Sequence, residues 1–197
     1  MSLFLKQDVD FAVRQTTTYY LIIPNRIEMK QYLLSQFDLH QRLYNNVLVD
    51  FTDEETNQRL YGDTKMNHVK YIAGHLLNSQ YAMTLLAGVP VDWKWNDLFA
   101  GVRQSEARDD ITYPTIREIK DEWNRIYEPV RNGFKSLSDT DLNRTAPDPF
   151  GKAFQNDDFF PNSIAGVWAF LNHHQAYHIG QIGILRRGFG KEPMKYS

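Results

Sequence analysis

Residues 173–187 read HHQAYHIGQIGILRR. Three of the chain's six histidines fall within six positions, and an apolar run with two glycines follows. On a helix, residues four apart differ by about 40° in direction and about 6 Å along the axis. His174 and His178 therefore share a face with Phe170, Gln181, Ile182 and Leu185, which is the apolar face of the segment. Both rings are expected to point into a helical core. His173 lies about 100° away, toward solvent or the helix flank. Two inward histidines one turn apart can hold a single metal ion, but satisfied core histidines have the same spacing. A partner from elsewhere in the chain has to decide between the two.

The surrounding sequence is helical in pattern. A first segment, about 26–50, carries Met29, Leu33, Phe37, Tyr44, Val47 and Leu48 at three- and four-residue steps. A second, about 67–87, carries Val69, Ile72, Leu76, Met83 and Leu86. The third has the cleanest period, Ile116, Ile119, Trp123, Ile126, Val130, Phe134 and Leu137. It opens with a capping-box pattern, Thr115 to Glu118, after Pro114, and Pro129 should bend it. The fourth runs from 162 or 163 to 187, with Gly188 as its expected stop. Only TTTYYLII (16–23) is strand-like, and Pro24 ends it. The reading is an all-α bundle of four long helices in one domain over 1–197, with an N-terminal arm (1–25), the bundle (26–188) and a tail (189–197).

The two halves of the chain echo each other. FTDEETNQR (51–59) and LSDTDLNRT (137–145) share an apolar residue, a hydroxyl and an Asp, with Thr52/Glu55 matching Ser138/Asp141. Each should cap a short helical turn that follows a long helix, and a histidine-bearing helix comes next in both halves. The connections that break the symmetry, 88–112 and 146–161, are long, and long loops in a compact domain tend to carry function.

Composition narrows the chemistry. Twenty-two basic and 24 acidic residues are mixed along the chain for a net charge of -2. No basic block argues for nucleic acid or an anionic membrane. The N-terminus lacks a signal-peptide pattern, and no apolar run approaches the ~20 residues of a membrane span, so a cytoplasmic protein is expected. Cysteine is absent, which removes disulfides, thiolate ligands and a cysteine nucleophile together. A metal must be held by His, Asp or Glu, and any thiol must arrive with a substrate.

HQAYH has the outline of the HExxH zinc-protease motif, but Gln175 stands at the general-base position, and an amide cannot accept a proton there. The protease reading fails on that residue. GHLLNSQ (74–80) supplies the partner: His75 sits among Leu, Ala and Ile, with Gly74 allowing close approach. Three histidines leave open positions for water or substrate. His68 lies about 10 Å from His75 along the axis and is expected to border the site or be exposed. His40 is expected to be a buried, hydrogen-bonded histidine or a contact behind the ligands.

With GHL on the second helix and H-x-x-x-H-x-G-Q on the fourth, the sequence resembles the DinB/YfiT-like family over roughly residues 29–188. The resemblance implies a four-helix bundle in up-down-down-up order, often dimeric, with a divalent metal on His75, His174 and His178. Members include thiol-dependent S-transferases and a thiol-dependent isomerase, and many are described as metal-dependent hydrolases. Gln175 and Gln80 stand where relatives often carry acids, which removes negative charge near the metal.

Three neutral imidazoles leave the full charge of Zn, Ni, Mn or Fe available to a bound thiol or water. The expected function is a metal-dependent thiol S-transferase acting on a small electrophile, in a homodimer whose N-terminal arm packs across the bundle or onto a second subunit. The alternatives are a hydrolase and a non-catalytic metal-binding or protein-interaction bundle, with WKW (93–95) and FQNDDFF (154–160) as the surface of the last. Phe37, His40, Tyr44 and Trp168 are the candidate pocket walls, since aromatic walls exclude water.

Overall fold

Residues 29–62, 65–99, 106–156 and 158–196 are described by a computed structural model. TTTYYLII and the rest of the N-terminal arm lie outside them. Four long helices form the frame: α1 (Met29–Val47), α3 (Val69–Leu86), α5 (Ile116–Ser136) and α8 (Ile164–Gly188). Short helices punctuate the connections: α2 (Asp53–Thr56), α4 (Asn96–Phe99), α6 (Asp139–Leu142) and α7 (Phe150–Ala153), with one 3-10 turn at Leu60–Gly62. There is no strand among the described residues.

Contacts across the bundle give its order. Lys30 bonds the Leu137 carbonyl, Asp38 pairs with Arg131, and Asn45 bonds Asn124, so α1 and α5 run antiparallel. Asn172 bonds the Leu33 carbonyl and Arg186 reaches Val47, so α1 and α8 run together. Gln80 bonds the Trp123 carbonyl, and a Cβ on Gly133 would meet Ala87, so α3 and α5 run together. The order is up-down-down-up. α1 packs on α5 and α8, and α3 packs on the same two from the other side.

Local chemistry sets the ends. Thr52 with Glu55 and Ser138 with Asp141 each form a complete capping box, so the echoed motifs start α2 and α6 as the pattern predicts. Thr115 and Glu118 do the same for α5, which continues past Pro129. Two expected boundaries move. α1 ends at Val47, and Asp50 turns the chain with φ 63°. α8 runs through Gly188 and stops where Gly190 takes φ 74°. Gly188 has a different use, because a Cβ there would lie 2.4 Å from Leu60.

His68 is not exposed, and it borders the histidine cluster through Tyr71, whose ring it meets edge-on at 6.4 Å. It is buried at the N-cap of α3, where its Nδ1 accepts from the Tyr71 amide at 3.1 Å. The sequence distance from His75 was too long for a shared ion, but capping by an imidazole has no recognisable pattern. Glu122 of α5, also buried, accepts from Tyr81 Oη, from Lys94 at 3.0 Å and from Arg125. Trp93 stacks on Tyr81 at 5.6 Å. This polar staple fastens the WKW stretch to the bundle.

Candidate metal centre

α3 and α8 cross so that three imidazoles meet. Nε2 of His174 lies 3.0 Å from Nε2 of His75 and 3.1 Å from Nε2 of His178. Among the described residues, His75, His174 and His178 form a group whose ligand atoms all lie within 4.8 Å of one another. The four-residue step on α8 supplies two rings from one face, and the neighbouring antiparallel helix supplies the third.

Burial keeps the rings neutral. Desolvation, followed by repulsion from His178 and His75, lowers His174 to about 3. Desolvation and His75 lower His178 to about 4, against a hydrogen bond to Gln181 that raises it. His75 is lowered by desolvation and raised by its bond to the Phe99 backbone.

The outer nitrogens assign the tautomers. Nδ1 of His75 lies 3.3 Å from the Phe99 carbonyl, which can only accept, so the hydrogen sits on Nδ1. Gln181 donates its amide nitrogen to Tyr177 Oη at 3.1 Å, and its Oε1 faces Nδ1 of His178 at 2.6 Å. His178 therefore also carries its hydrogen outward. Both Nε2 atoms then present lone pairs to Nε2 of His174, and one hydrogen on that atom could satisfy only one of them. The convergence fits a cation. Nitrogens held ~2.1 Å from one ion at near right angles lie roughly 3 Å apart. The residues present therefore suit a divalent metal, and an all-imidazole set is compatible with Zn, Ni, Mn or Fe.

Aromatic rings back the imidazoles. Tyr71 stacks on His75 at 6.1 Å and 6°, Phe170 stacks on His174 at 6.1 Å, and Tyr177 meets His178 edge-on at 5.1 Å. Phe154 and Phe160 of the 146–161 connection pack on Phe170 at 4.9 and 5.4 Å. Phe99 of the 88–112 connection reaches His75. Phe99 thus brings one long connection to the cluster, and Phe154 and Phe160 bring the other to the ring behind His174.

The amides that replace carboxylates are turned elsewhere. Gln175 is fully buried with its Nε2 at 3.5 Å from Met83 Sδ, and Gln80 bonds the Trp123 carbonyl at 2.9 Å. His173 is exposed, as its angle predicts.

The four candidate wall residues are all buried. Phe37 lies 5.4 Å from both Tyr127 and Trp168, and Trp168 stacks on Phe134 at 3.7 Å. Tyr44 stacks on Trp123 at 4.0 Å and donates to the Ala73 carbonyl at 3.1 Å. His40 sits beside Asn172 and Gln175; burial lowers its pKa, those amides raise it, and its Nδ1 has no partner. The contacts of Phe37, Tyr44 and Trp168 are those of core rings between helices. Sequence reasoning missed the Phe99 carbonyl, which has no side-chain signal, and the tie from Gln181 through Tyr177. Gln181 was visible only as a member of the histidine face.

No curated protein matches the chain. The family model described as the DinB superfamily matches residues 36–182, which include all three histidines, and the chain belongs to that superfamily.

Proposed function

We propose that the protein is a metal-dependent enzyme that uses Zn, Ni, Mn or Fe on His75, His174 and His178 to transfer a low-molecular-weight thiol onto a small electrophile. The observation that carries this is the meeting of three neutral Nε2 atoms, 3.0 and 3.1 Å apart, with too few hydrogens to satisfy them. A divalent ion bound there would supply the charge that draws a thiol or a water toward its anion. The chain's own residues bind and orient. Phe99 and Gln181 hold two ligands in the required tautomer, and Tyr71 and Phe170 shield the rings from water.

Two facts favour a thiol over water. A hydrolase benefits from a carboxylate base beside the metal, and among the described residues no Asp or Glu joins the three-histidine group. The chain has no cysteine, so the thiol belongs to the second substrate. We place the protein in the cytoplasm and as a homodimer. The exposed Tyr177 and Ile184 on the outer face of α8 support a subunit contact.

Metal analysis joined to conjugation assays tests the reading. Wild type should purify with close to one ion per chain, and His174→Ala should lose most of it. Conjugation of a thiol to an electrophile should rise and fall with occupancy. Product that forms equally well without thiol would make the protein a hydrolase. A fully loaded protein inert to every thiol, ester and amide would leave a binding role only.

A further inference from the structure

We infer that Phe99 is a positioning residue for the metal centre: its ring, seated in the notch left by Gly74, holds its own carbonyl on Nδ1 of His75. The inference rests on the metal reading above. Gly74 is the residue next to His75 on α3, and a Cβ there would lie 2.2 Å from the Phe99 ring. That approach is closer than any side chain at position 74 allows. The seated ring is buried, stacks on Tyr113 at 5.5 Å and tilts against Tyr71 at 6.2 Å, and Tyr71 stacks in turn on His75. The backbone of Phe99 is fixed as well, because the amides of Leu98 and Phe99 both bond the Trp95 carbonyl, at 3.0 and 3.3 Å.

The partner that sets the tautomer of His75 is therefore a backbone atom, which no substitution can delete. Only displacement of the segment removes it. By linkage, whatever seats Phe99 tightens metal binding, and the metal in turn secures Phe99. The glycine of the G-H-L motif acts through the next helix in the chain, on an atom one residue away from its own position on α3.

The test uses the full-length protein and zinc affinity measured by chelator competition. Gly74→Ala and Phe99→Ala should each weaken zinc binding about 10–100-fold although all three ligands remain. The double variant should bind no worse than Phe99→Ala, because a notch without its ring has nothing to seat. Phe99→Leu, which keeps an apolar wedge, should recover much of the loss. In metal-free protein, ring 15N shifts should show His75 as the Nδ1–H tautomer in wild type and as a mixture in the two single variants. Wild-type zinc affinity in both single variants, an unchanged His75 tautomer, or additive losses in the double variant would overturn the inference. Wild type that binds no zinc would sink the metal reading instead, and the tautomer measurement would still decide whether Phe99 governs His75. If Gly74→Ala does not fold, the two Phe99 variants carry the same comparison.

Discussion

Gln181 illustrates how much of this site depends on atoms outside the three imidazoles that would hold an ion. Its Oε1 takes the outward hydrogen of His178 and its nitrogen is anchored on Tyr177. Gln181→Leu keeps the volume but lets the His178 ring turn and change tautomer, so zinc affinity should fall about 10–100-fold. Gln175→Leu, six positions earlier, should leave affinity unchanged, because that amide faces Met83. Chelator competition on the two variants side by side checks the contrast, and equal losses would mean that the outer-contact assignment is wrong. The four-residue step on an apolar face marked His174 and His178, and His75 was legible as the lone histidine of an apolar helical stretch, so the three-histidine group could be read from the sequence. Their outer partners were not. A carbonyl belongs to every residue, so nothing marks that of Phe99, and only the neighbouring glycine hinted at close approach.

At the level of helices, starts were easier to foresee than stops. Hydroxyl and acid three residues apart produced all three expected caps, because that chemistry is local. Stops depended on tertiary packing. Gly188 was spent on contact with Leu60, leaving Gly190 to take the left-handed turn. The cap of α3 was not foreseen because it is His68. Burial, then repulsion from Arg59, lowers that ring to about 4 from an ordinary 6.5. The folded pKa lies below the unfolded one, so the cap's stability is present in full above pH 6.5 and is lost as pH falls through about 4. His68→Asn should retain a cap and flatten the stability curve across that window, while His68→Ala should cost about 1 kcal/mol at neutral pH. Denaturant titrations at several pH values test both. An unchanged pH slope in His68→Asn would remove His68 from the account.

For the molecule as a whole, the helical class and the count of four long helices followed from periodicity, and the crossing order came from resemblance. Periodicity says which face of a helix is buried but not which neighbour covers it. A metal joined to α3 and α8 should stabilise the folded chain by mass action, by about 2.7 kcal/mol when the free ion stands at 100 times its Kd. Adding chelator should lower Tm in wild type and leave His174→Ala unmoved, and calorimetry with and without chelator is the check. A chelator effect of equal size in both would place the responsive site elsewhere.

The crossing order has one more consequence. Cut between α3 and α5, the chain falls into two helical pairs, and every large helix interface described above joins one pair to the other: α1 with α5 and α8, and α3 with α5 and α8. Neither pair is a hairpin with a core of its own. The first contributes one histidine to the candidate metal group and the second contributes two. The protein is thus arranged like a heterodimer written as a single chain, whose partners must clasp before either has an interior. The connection between them acts as a tether that raises local concentration, and the three-histidine group is complete only once the two halves have found each other.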